Sequence, residues 1–317
     1  MLQKIAARAA GPSDAVCAPG RHGRKDSKMR KIPTWVGAFV AVGACSALVW
    51  LERRRPLRRA RESKLGRDAR NLAVAATAAL TLHLAERPVA GRLTALVERR
   101  RIGLLKQVAL PRPLETMLAV LLLDYTLYAW HVLAHRVPAL WRFHLVHHTD
   151  LDLDATTALR FHFGELLVSV VWRAAQVLAI GVSPHALSVW QRLFFVSILF
   201  HHSNVRLPVE VERRLNLILV TPRMHGIHHS TVRAERDANW SSGLALWDRL
   251  HGTLKLNVAQ EEIEIGVAAY RAPEELGLLR LLKLPFDAGA VAEATTTPDA
   301  RTANVARPFV PADHLLA

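Results

Sequence analysis

Residues 116–148 read TMLAVLLLDYTLYAWHVLAHRVPALWRFHLVHH, and they are the most informative part of the sequence about the fold. Its first part, 116–134, predicts the most hydrophobic helix of the chain, close to the length that crosses a bilayer core. Histidines follow at once, first two that are four positions apart and then three at positions i, i+3 and i+4. The two patterns together predict a helical protein with a cluster of histidines at the end of a membrane helix.

The first histidine pair, His131 and His135, is spaced by one helical turn, so both imidazoles leave the same face of the helix. Asp124 and Tyr128 share that face, because positions 124, 128, 131 and 135 advance by four, three and four residues. We therefore predict that this carboxylate and this phenol orient the imidazoles as hydrogen-bond partners.

Two copies of the pattern H-x-x-H-H follow. They comprise His144, His147 and His148 in the first copy and His225, His228 and His229 in the second. With the first pair they supply eight imidazoles, more than one metal ion can bind, so a pair of metals is indicated. Imidazole suits iron, zinc, copper or nickel, and open coordination positions suit either oxygen activation or hydrolysis.

Further histidines lie between these boxes, at His162 in the segment RFHFGE and at His201-His202. Neighbouring helical residues point about 100° apart, so only one of the latter two faces the cluster. Twelve of the 16 histidines fall between positions 131 and 229. The isolated ones are interpreted as ordinary surface or core residues, namely His22, His83, His185, His251 and His314.

Composition narrows the class of protein. The 317 residues are 51% hydrophobic, which excludes a disordered chain, and two cysteines cannot form a disulfide framework or a zinc ribbon. The net charge of +15 suits nucleic acid, anionic lipid or membrane topology. No zinc-finger spacing, RNA-binding signature or helix-turn-helix pattern accompanies this charge, so we predict no nucleic-acid partner. We interpret the excess of basic residues as a signal of membrane topology.

Hydropathy predicts several membrane segments, at 34–51, 71–85, 116–134, 166–182 and 185–200. Ser183-Pro184 separates the last two, each of which carries a central arginine, Arg173 and Arg192. Either these segments form a shallow hairpin whose arginine side chains extend to the membrane–water interface, or they form helices whose arginines face other parts of the protein. The nine basic residues of 52–70 are expected to lie against anionic headgroups or in solvent. Because two passes return the chain to its starting side, all the boxes meet on one face, which the flanking arginines predict to be cytoplasmic.

The domain organisation follows from these segments. We predict a basic flexible leader at 1–33, in which Met29 is an alternative start, and a first transmembrane helix with its basic loop at 34–70. A catalytic domain occupies 71–257. A C-terminal segment, 258–317, is expected to be largely a disordered tail. The predicted fold class is an all-α integral membrane bundle of about four to five membrane-embedded helices, with a cytoplasmic histidine-rich helical cap.

The order and spacing of these stretches resemble the fatty acid hydroxylase and sterol desaturase superfamily of membrane di-iron enzymes. The resemblance covers residues 70–257 and includes HVLAHRVPALWRFHLVHHTD, TTALRFHFGE, LFHHSN, VTPRMHGIHHS and WDRLHGT. It implies that the eight box histidines are metal ligands, completed by His202 and His162. It also makes Asn204 of LFHHSN a candidate catalytic residue beside Asp124 and Tyr128.

The same resemblance implies a function. Two iron ions and O2 would hydroxylate or desaturate a C–H bond of a membrane lipid, such as a fatty acyl chain or a sterol-like lipid. No flavin, dinucleotide or haem motif is present, so electrons would come from a separate ferredoxin or cytochrome b5 type system. In a bacterium the enzyme would lie in the cytoplasmic membrane. Two alternatives stay open, a dizinc membrane hydrolase and a non-catalytic metal-binding scaffold.

Overall fold

Helices make up the whole architecture of the computed structural model, which describes residues 34–287 and 289. The chain divides into two units, 1–42 and 43–317, and the first contributes only the opening turns of one helix to this description. The helices are α1 (Thr34–Arg54), α2 (Lys64–Thr81), α3 (Arg87–Arg100), α4 (Arg112–Arg136), α5 (Pro138–His148), α6 (Phe163–Ile180), α7 (Pro184–His202), α8 (Val209–Leu215), α9 (Pro222–His228), α10 (Arg233–Arg236), α11 (Leu246–His251) and α12 (Leu278–Lys283). Extended pairing in the described ranges is limited to three isolated bridges, so the all-α prediction is confirmed.

Two helices in the described part of the chain, α4 and α6, are long and apolar enough to cross a membrane. α4 contains the predicted segment 116–134, and α6 contains most of 166–182. The segments at 34–51 and 185–200 are helical as well, within α1 and α7. The total of four to five membrane-embedded helices and the cytoplasmic position of the cap stay predictions.

The apolar segment at 71–85 lies in one long helical run and is not a separate short helix. α2 continues through a π-helical turn, Leu82–Glu86, directly into α3. Pro88 explains the irregularity, because it has no amide hydrogen and its ring would collide with the carbonyl of Leu84 in a regular α-helix. The wider π turn accommodates the proline, and Glu86 at its end is buried.

α6 and α7 form a hairpin at the predicted break. Gly181 ends α6 with a φ of 83°, a left-handed conformation that favours glycine. Ser183 then caps α7 by accepting a hydrogen bond of 3.1 Å from the amide of Ala186, and Pro184 begins the helix. α7 packs against both α4 and α9, so the chain returns to the end of α4 that carries the first histidine pair.

The basic run 52–70 is only partly solvated, which corrects the expectation from the sequence. Arg67 is buried and forms ion pairs with Asp150 at 2.8 Å and Asp154 at 2.6 Å. Arg58 is half-buried and donates a hydrogen bond of 3.1 Å to the carbonyl of Pro222. Because these partners lie far away in the sequence, a local reading of charge does not detect them.

The described part of the C-terminal segment packs on α5, the helix that carries the first H-x-x-H-H box. Tyr270, Leu276 and Leu281 join Trp141 and Leu145 of α5 in one buried cluster. Arg142 of α5 also donates a hydrogen bond of 2.5 Å to the carbonyl of Pro285. The predicted leader and the remainder of the predicted tail lie outside the described residues.

Candidate metal centre

Nine of the ten histidines predicted as metal ligands come together in two groups. In each group the side chains offer nitrogen atoms that lie within 4.8 Å of one another. The first group, called group A here, contains His131, His135, His144, His148 and His228. The second, group B, contains His147, His202, His225 and His229. All are buried except His135, which is half-buried.

Helical geometry explains how the boxes divide between the groups. His147 and His148 are adjacent on α5 and therefore point about 100° apart, so the first belongs to group B and the second to group A. His228 and His229 divide in the same way at the end of α9. One H-x-x-H-H box thus supplies ligands to both groups, and the imidazole planes of His148 and His229 stack at 4.3 Å between ring centroids.

The nitrogens of group B converge more closely than hydrogen bonding explains. The Nε2 atom of His202 lies 3.1 Å from that of His147 and 3.0 Å from that of His225, and the latter is 3.1 Å from Nε2 of His229. Nδ1 of His202 donates to the carbonyl of Ile198 at 2.8 Å, so its Nε2 accepts. His225 would then donate from Nε2 and have no lone pair for His229. A shared cation would resolve this conflict, because the lone pairs of all four Nε2 atoms could then point to it.

In group A, three rings are oriented through Nδ1. His131 donates to the carbonyl of Trp240 at 2.6 Å, and His228 donates to the carbonyl of Ala238 at 2.9 Å. Nδ1 of His144 is 2.9 Å from the carboxylate of Glu165. The Nε2 atoms of His144 and His228 are buried without a hydrogen-bond partner. Fixing one ring nitrogen and leaving the other free is the usual arrangement of histidines that bind metals.

The electrostatics keep these rings neutral. Burial lowers the pKa of His147, His148, His225 and His229 well below the usual value, and neighbouring imidazoles lower it further. Burial likewise lowers the pKa of His228 to about 3, despite the opposing hydrogen bond to Ala238. Because a metal binds the unprotonated ring, the two groups are ready to accept cations at neutral pH.

His162 is the predicted ligand that the structure does not bring to either group. Its Nδ1 accepts a hydrogen bond of 3.0 Å from the amide of Gly164, so the ring caps the start of α6. Its Nε2 lies 3.2 Å from the carbonyl of Leu282. Of the adjacent pair on α7, His202 joins group B as predicted, and His201 lies buried beside it, outside both groups.

The predicted orienting residues Asp124 and Tyr128 form no hydrogen bond to an imidazole, and this corrects the sequence interpretation. Asp124 accepts from the indole of Trp247 at 2.7 Å and from the amide of Leu244 at 3.1 Å. Tyr128 forms a hydrogen bond of 3.1 Å with the hydroxyl of Thr253. Asp124 does lie on the same face of α4 as His131. However, seven residues separate the two, and a carboxylate cannot span the resulting rise of about 10 Å.

Asn204 has a positioning role in the structure. Its amide group donates to the carbonyl of Arg58 at 2.9 Å and accepts from the amide of the same residue at 2.8 Å. Its backbone amide donates to Glu52 at 2.9 Å. Asn204 therefore fastens the segment after α1 to the end of α7, beside His202, and contacts neither histidine group.

The sequence analysis did not single out Glu165, which lies 2.9 Å from Nδ1 of His144, or the buried Arg160 that supports α5. Arg160 is fully buried and donates to the carbonyl of Val146 at 3.0 Å and to Thr149 at 2.9 Å. Asp150, in turn, pairs with Arg67. Together these charges hold the C-terminal turn of α5, which carries His147 and His148. From its position two residues after His148, Asp150 could be expected to orient an imidazole, but the structure pairs it with Arg67 instead.

A cavity of about 660 Å³ opens onto both histidine groups. His131 and His144 of group A line it, as do His147, His202 and His225 of group B. Its walls are mainly apolar and aromatic. They include Ala78, Leu127, Trp130, Phe161, Trp172, Phe194 and Ile198. An apolar cavity of this kind has room for a hydrocarbon chain beside the histidines.

Comparison with known proteins supports the superfamily resemblance. The family model for fatty acid hydroxylase matches residues 116–253, the region that contains all nine clustered histidines. The resemblance inferred from the histidine pattern is thereby confirmed. No solved structure gives a significant match.

Three curated relatives illustrate the similarity. Ornithine lipid hydroxylase OlsE of Rhizobium tropici is 32% identical over 177 residues, 56% of this chain and 51% of that protein. Human alkylglycerol monooxygenase is 31% identical over 43% of this chain and 30% of its own length. Mouse cholesterol 25-hydroxylase is 28% identical over 44% and 47%, respectively. The match therefore spans about half or less of each relative.

Proposed function

We propose that this chain, which belongs to the fatty acid hydroxylase and sterol desaturase superfamily, is an O2-dependent membrane hydroxylase of lipids that binds two iron ions. Group A would hold one ion and group B the other. The observation that carries the proposal is the position of two buried, all-imidazole groups at the end of one apolar cavity. The names of these relatives, two hydroxylases and a monooxygenase, favour hydroxylation over desaturation.

The donor set fits the metal. Iron bound by neutral imidazoles supplies the redox chemistry that reduces O2 and oxidises an unactivated C–H bond. The chain's own part is to hold these rings in place through Glu165 and the carbonyls of Ala238 and Trp240. It thereby fixes which nitrogen of each ring is free for the ion.

The cavity would select and orient the substrate. Phe161 stacks on His147 with 4.6 Å between ring centroids, so an apolar side chain stands directly beside group B. Trp130 and Trp172 form another part of the wall, with their rings 5.7 Å apart. These surfaces bind a hydrocarbon chain and exclude water from the reacting carbon. The shape of the cavity then decides which C–H bond is oxidised.

A dizinc hydrolase is the less suitable alternative. Such a site needs a metal-bound water and a general base close to it. Neither histidine group contains a carboxylate ligand, and Glu165 is occupied by Nδ1 of His144. A non-catalytic scaffold does not explain why nine imidazoles converge beside an apolar cavity.

Electrons would be delivered by a separate ferredoxin or cytochrome b5 type donor. Exposed arginines at positions 53, 54 and 59, and at 213 and 214 in α8, would suit an acidic partner on the side of the histidines. We place this side in the cytoplasm, with α4 and α6 crossing the membrane. In a bacterium, this would be the cytoplasmic membrane.

Labelling with ¹⁸O2 tests the proposal. Lipid extracts of cells that produce the protein should contain a hydroxylated lipid with one ¹⁸O atom, detected by mass spectrometry. His147→Ala and His228→Ala should abolish this product, because each removes a ligand from one group. His185→Ala, at an exposed histidine outside both groups, serves as the matched control and should retain it. An unlabelled or O2-independent product would overturn the proposal.

A further inference from the structure

The cavity has a charged end on the side away from the histidines. Arg173 of α6 and Arg192 of α7 both line it. Arg173 lies eight residues beyond Glu165, the partner of His144, a rise of about 12 Å along α6. Arg192 lies nine residues before His201, a rise of about 14 Å along α7. The two arginines that interrupt apolar helices in the sequence therefore stand at a similar distance from the metal ligands, in the same cavity.

Arg173 is held in place and faces protein. Its guanidinium group lies 4.3 Å above the ring of Trp190 and donates a hydrogen bond of 2.6 Å to Gln176. Its buried Nε atom is ion-paired with the carboxylate of Glu86 at 3.6 Å, which is too far for a good hydrogen bond. A buried arginine whose one carboxylate partner is too far away for a good hydrogen bond is costly in an apolar bundle unless a ligand completes its contacts.

The other charges at this end are predominantly positive. Arg87, the residue after the π turn, lines the cavity together with Glu86, Arg173 and Arg192. Three arginines thus face one glutamate. The π turn at Leu82–Glu86 is what brings Glu86 beside Arg173, because a change of helical pitch rotates the residues that follow it.

We propose that this charged end binds the anionic group, a carboxylate or a phosphate, of an amphiphilic substrate whose hydrocarbon chain extends toward the histidines. Arginine is suited to such oxyanions because its planar donors match their geometry. The distance between the arginines and the metal ligands would then determine which carbon is oxidised. This last consequence rests on the proposed function, whereas the binding itself does not.

Binding measurements on the full-length protein in detergent test the inference. Three probes with the same alkyl chain are compared by calorimetry: a fatty acid, an alkyl phosphate and a neutral alcohol. Both anions, or one of them, should bind at least tenfold more tightly than the alcohol, and the tighter one identifies the group. Arg173→Gln should remove most of this preference and leave alcohol binding unchanged. Arg213→Gln, at an exposed arginine outside the cavity, is the matched control and should retain it.

Two further variants separate recognition from a merely structural role. Glu86→Gln keeps the size and polarity of this side chain but removes its negative charge beside Arg173, so it should tighten anion binding severalfold. Arg192→Gln, at an exposed position that is less important for folding, should weaken it. Equal affinity for anions and alcohol in the wild-type protein, or an anion preference that survives both arginine substitutions, would overturn the inference.

The binding measurement requires no oxygen, reductant or turnover, so its result is independent of the proposed function. An anion preference in a protein that oxidises no lipid would contradict the proposed function alone. Lipid oxidation with no anion preference would contradict only the anion-binding end.

Discussion

Nδ1 of His144 and Oε1 of Glu165 are 2.9 Å apart, although they lie on different helices. The carboxylate fixes the tautomer of the imidazole so that Nε2 points away, buried and available to a metal. α5 and α6 are thereby joined at the position where the cavity meets group A.

We expect Glu165→Gln to weaken metal binding about 10- to 100-fold, the usual cost of removing such a partner. The fold should persist because the amide remains able to form a hydrogen bond. Competition with a chelator measures the change. Glu210→Gln, at an exposed glutamate on α8, should match the wild type. Unchanged affinity in Glu165→Gln would show that His144 does not need the carboxylate.

Asp124→Ala should destabilise the protein without removing its metals. The substitution leaves the indole of Trp247 and the amide of Leu244 without their acceptor, at a cost of about 1–3 kcal/mol for each buried group. Asp124→Asn retains one acceptor oxygen and should lose less. Two measurements test this prediction: the thermal unfolding temperature in detergent and the iron content of the folded fraction. Loss of iron at unchanged unfolding temperature would instead favour the original prediction that Asp124 supports the imidazoles.

The pair Arg67–Asp154 predicts a pH dependence of stability. Burial alone would raise the pKa of Asp154, but the charge and hydrogen bonds of Arg67 outweigh burial and lower it. A carboxylate whose pKa is lower in the folded state stabilises the protein fully above its unfolded value, about 3.9. The contribution is then lost as the pH falls toward the folded value.

The unfolding midpoint should therefore be insensitive to this pair between pH 7 and about 5 and decline below about 4. Asp154→Asn should be less stable at neutral pH and show a smaller decline in acid. Denaturation at a series of pH values provides the measurement. A wild-type and a variant curve that remain parallel down to pH 3 would exclude a contribution from this ion pair.

α11 is expected to contact lipid. Its Trp247 packs on Tyr125, near the middle of α4, with 5.0 Å between ring centroids. On the same short helix, Leu246 and Leu250 are 47% and 68% exposed. If the middle of α4 lies within the bilayer, these leucines face hydrocarbon.

Fluorescent labelling tests this placement. A cysteine at position 250, in a chain with Cys17 and Cys45 replaced by serine, should carry a label that lipid-phase quenchers reach and aqueous quenchers do not. A cysteine at the exposed position 274 is the control and should show the opposite. Aqueous quenching at position 250 would place α11 outside the membrane.

The sequence predicted the features that depend on local spacing. One-turn spacing placed His131 and His135 together, and the repeated H-x-x-H-H pattern predicted two metal groups. Ser183-Pro184 predicted the break between two helices, and in the structure Ser183 caps α7 and Pro184 begins it. Each of these signals is contained within a few residues of chain.

The remaining features depend on contacts between distant segments. Arg67 is a structural residue only because Asp150 and Asp154 reach it from beyond α5, and His162 misses the groups because it caps α6. Asp124 lies on the predicted face of α4, but its carboxylate is too far from the imidazoles to form a hydrogen bond with them. Backbone carbonyl acceptors such as that of Ala238 cannot be predicted from residue types, because any residue can supply one.

The metal content of the purified protein tests the central claim most directly. After growth in iron-rich medium, we expect about two irons per chain in the wild type and in His185→Ala. His228→Ala and His147→Ala, which each damage one group, should each retain about one. Zinc in place of iron, or a metal content that neither substitution changes, would contradict the assignment of these two groups as a di-iron centre.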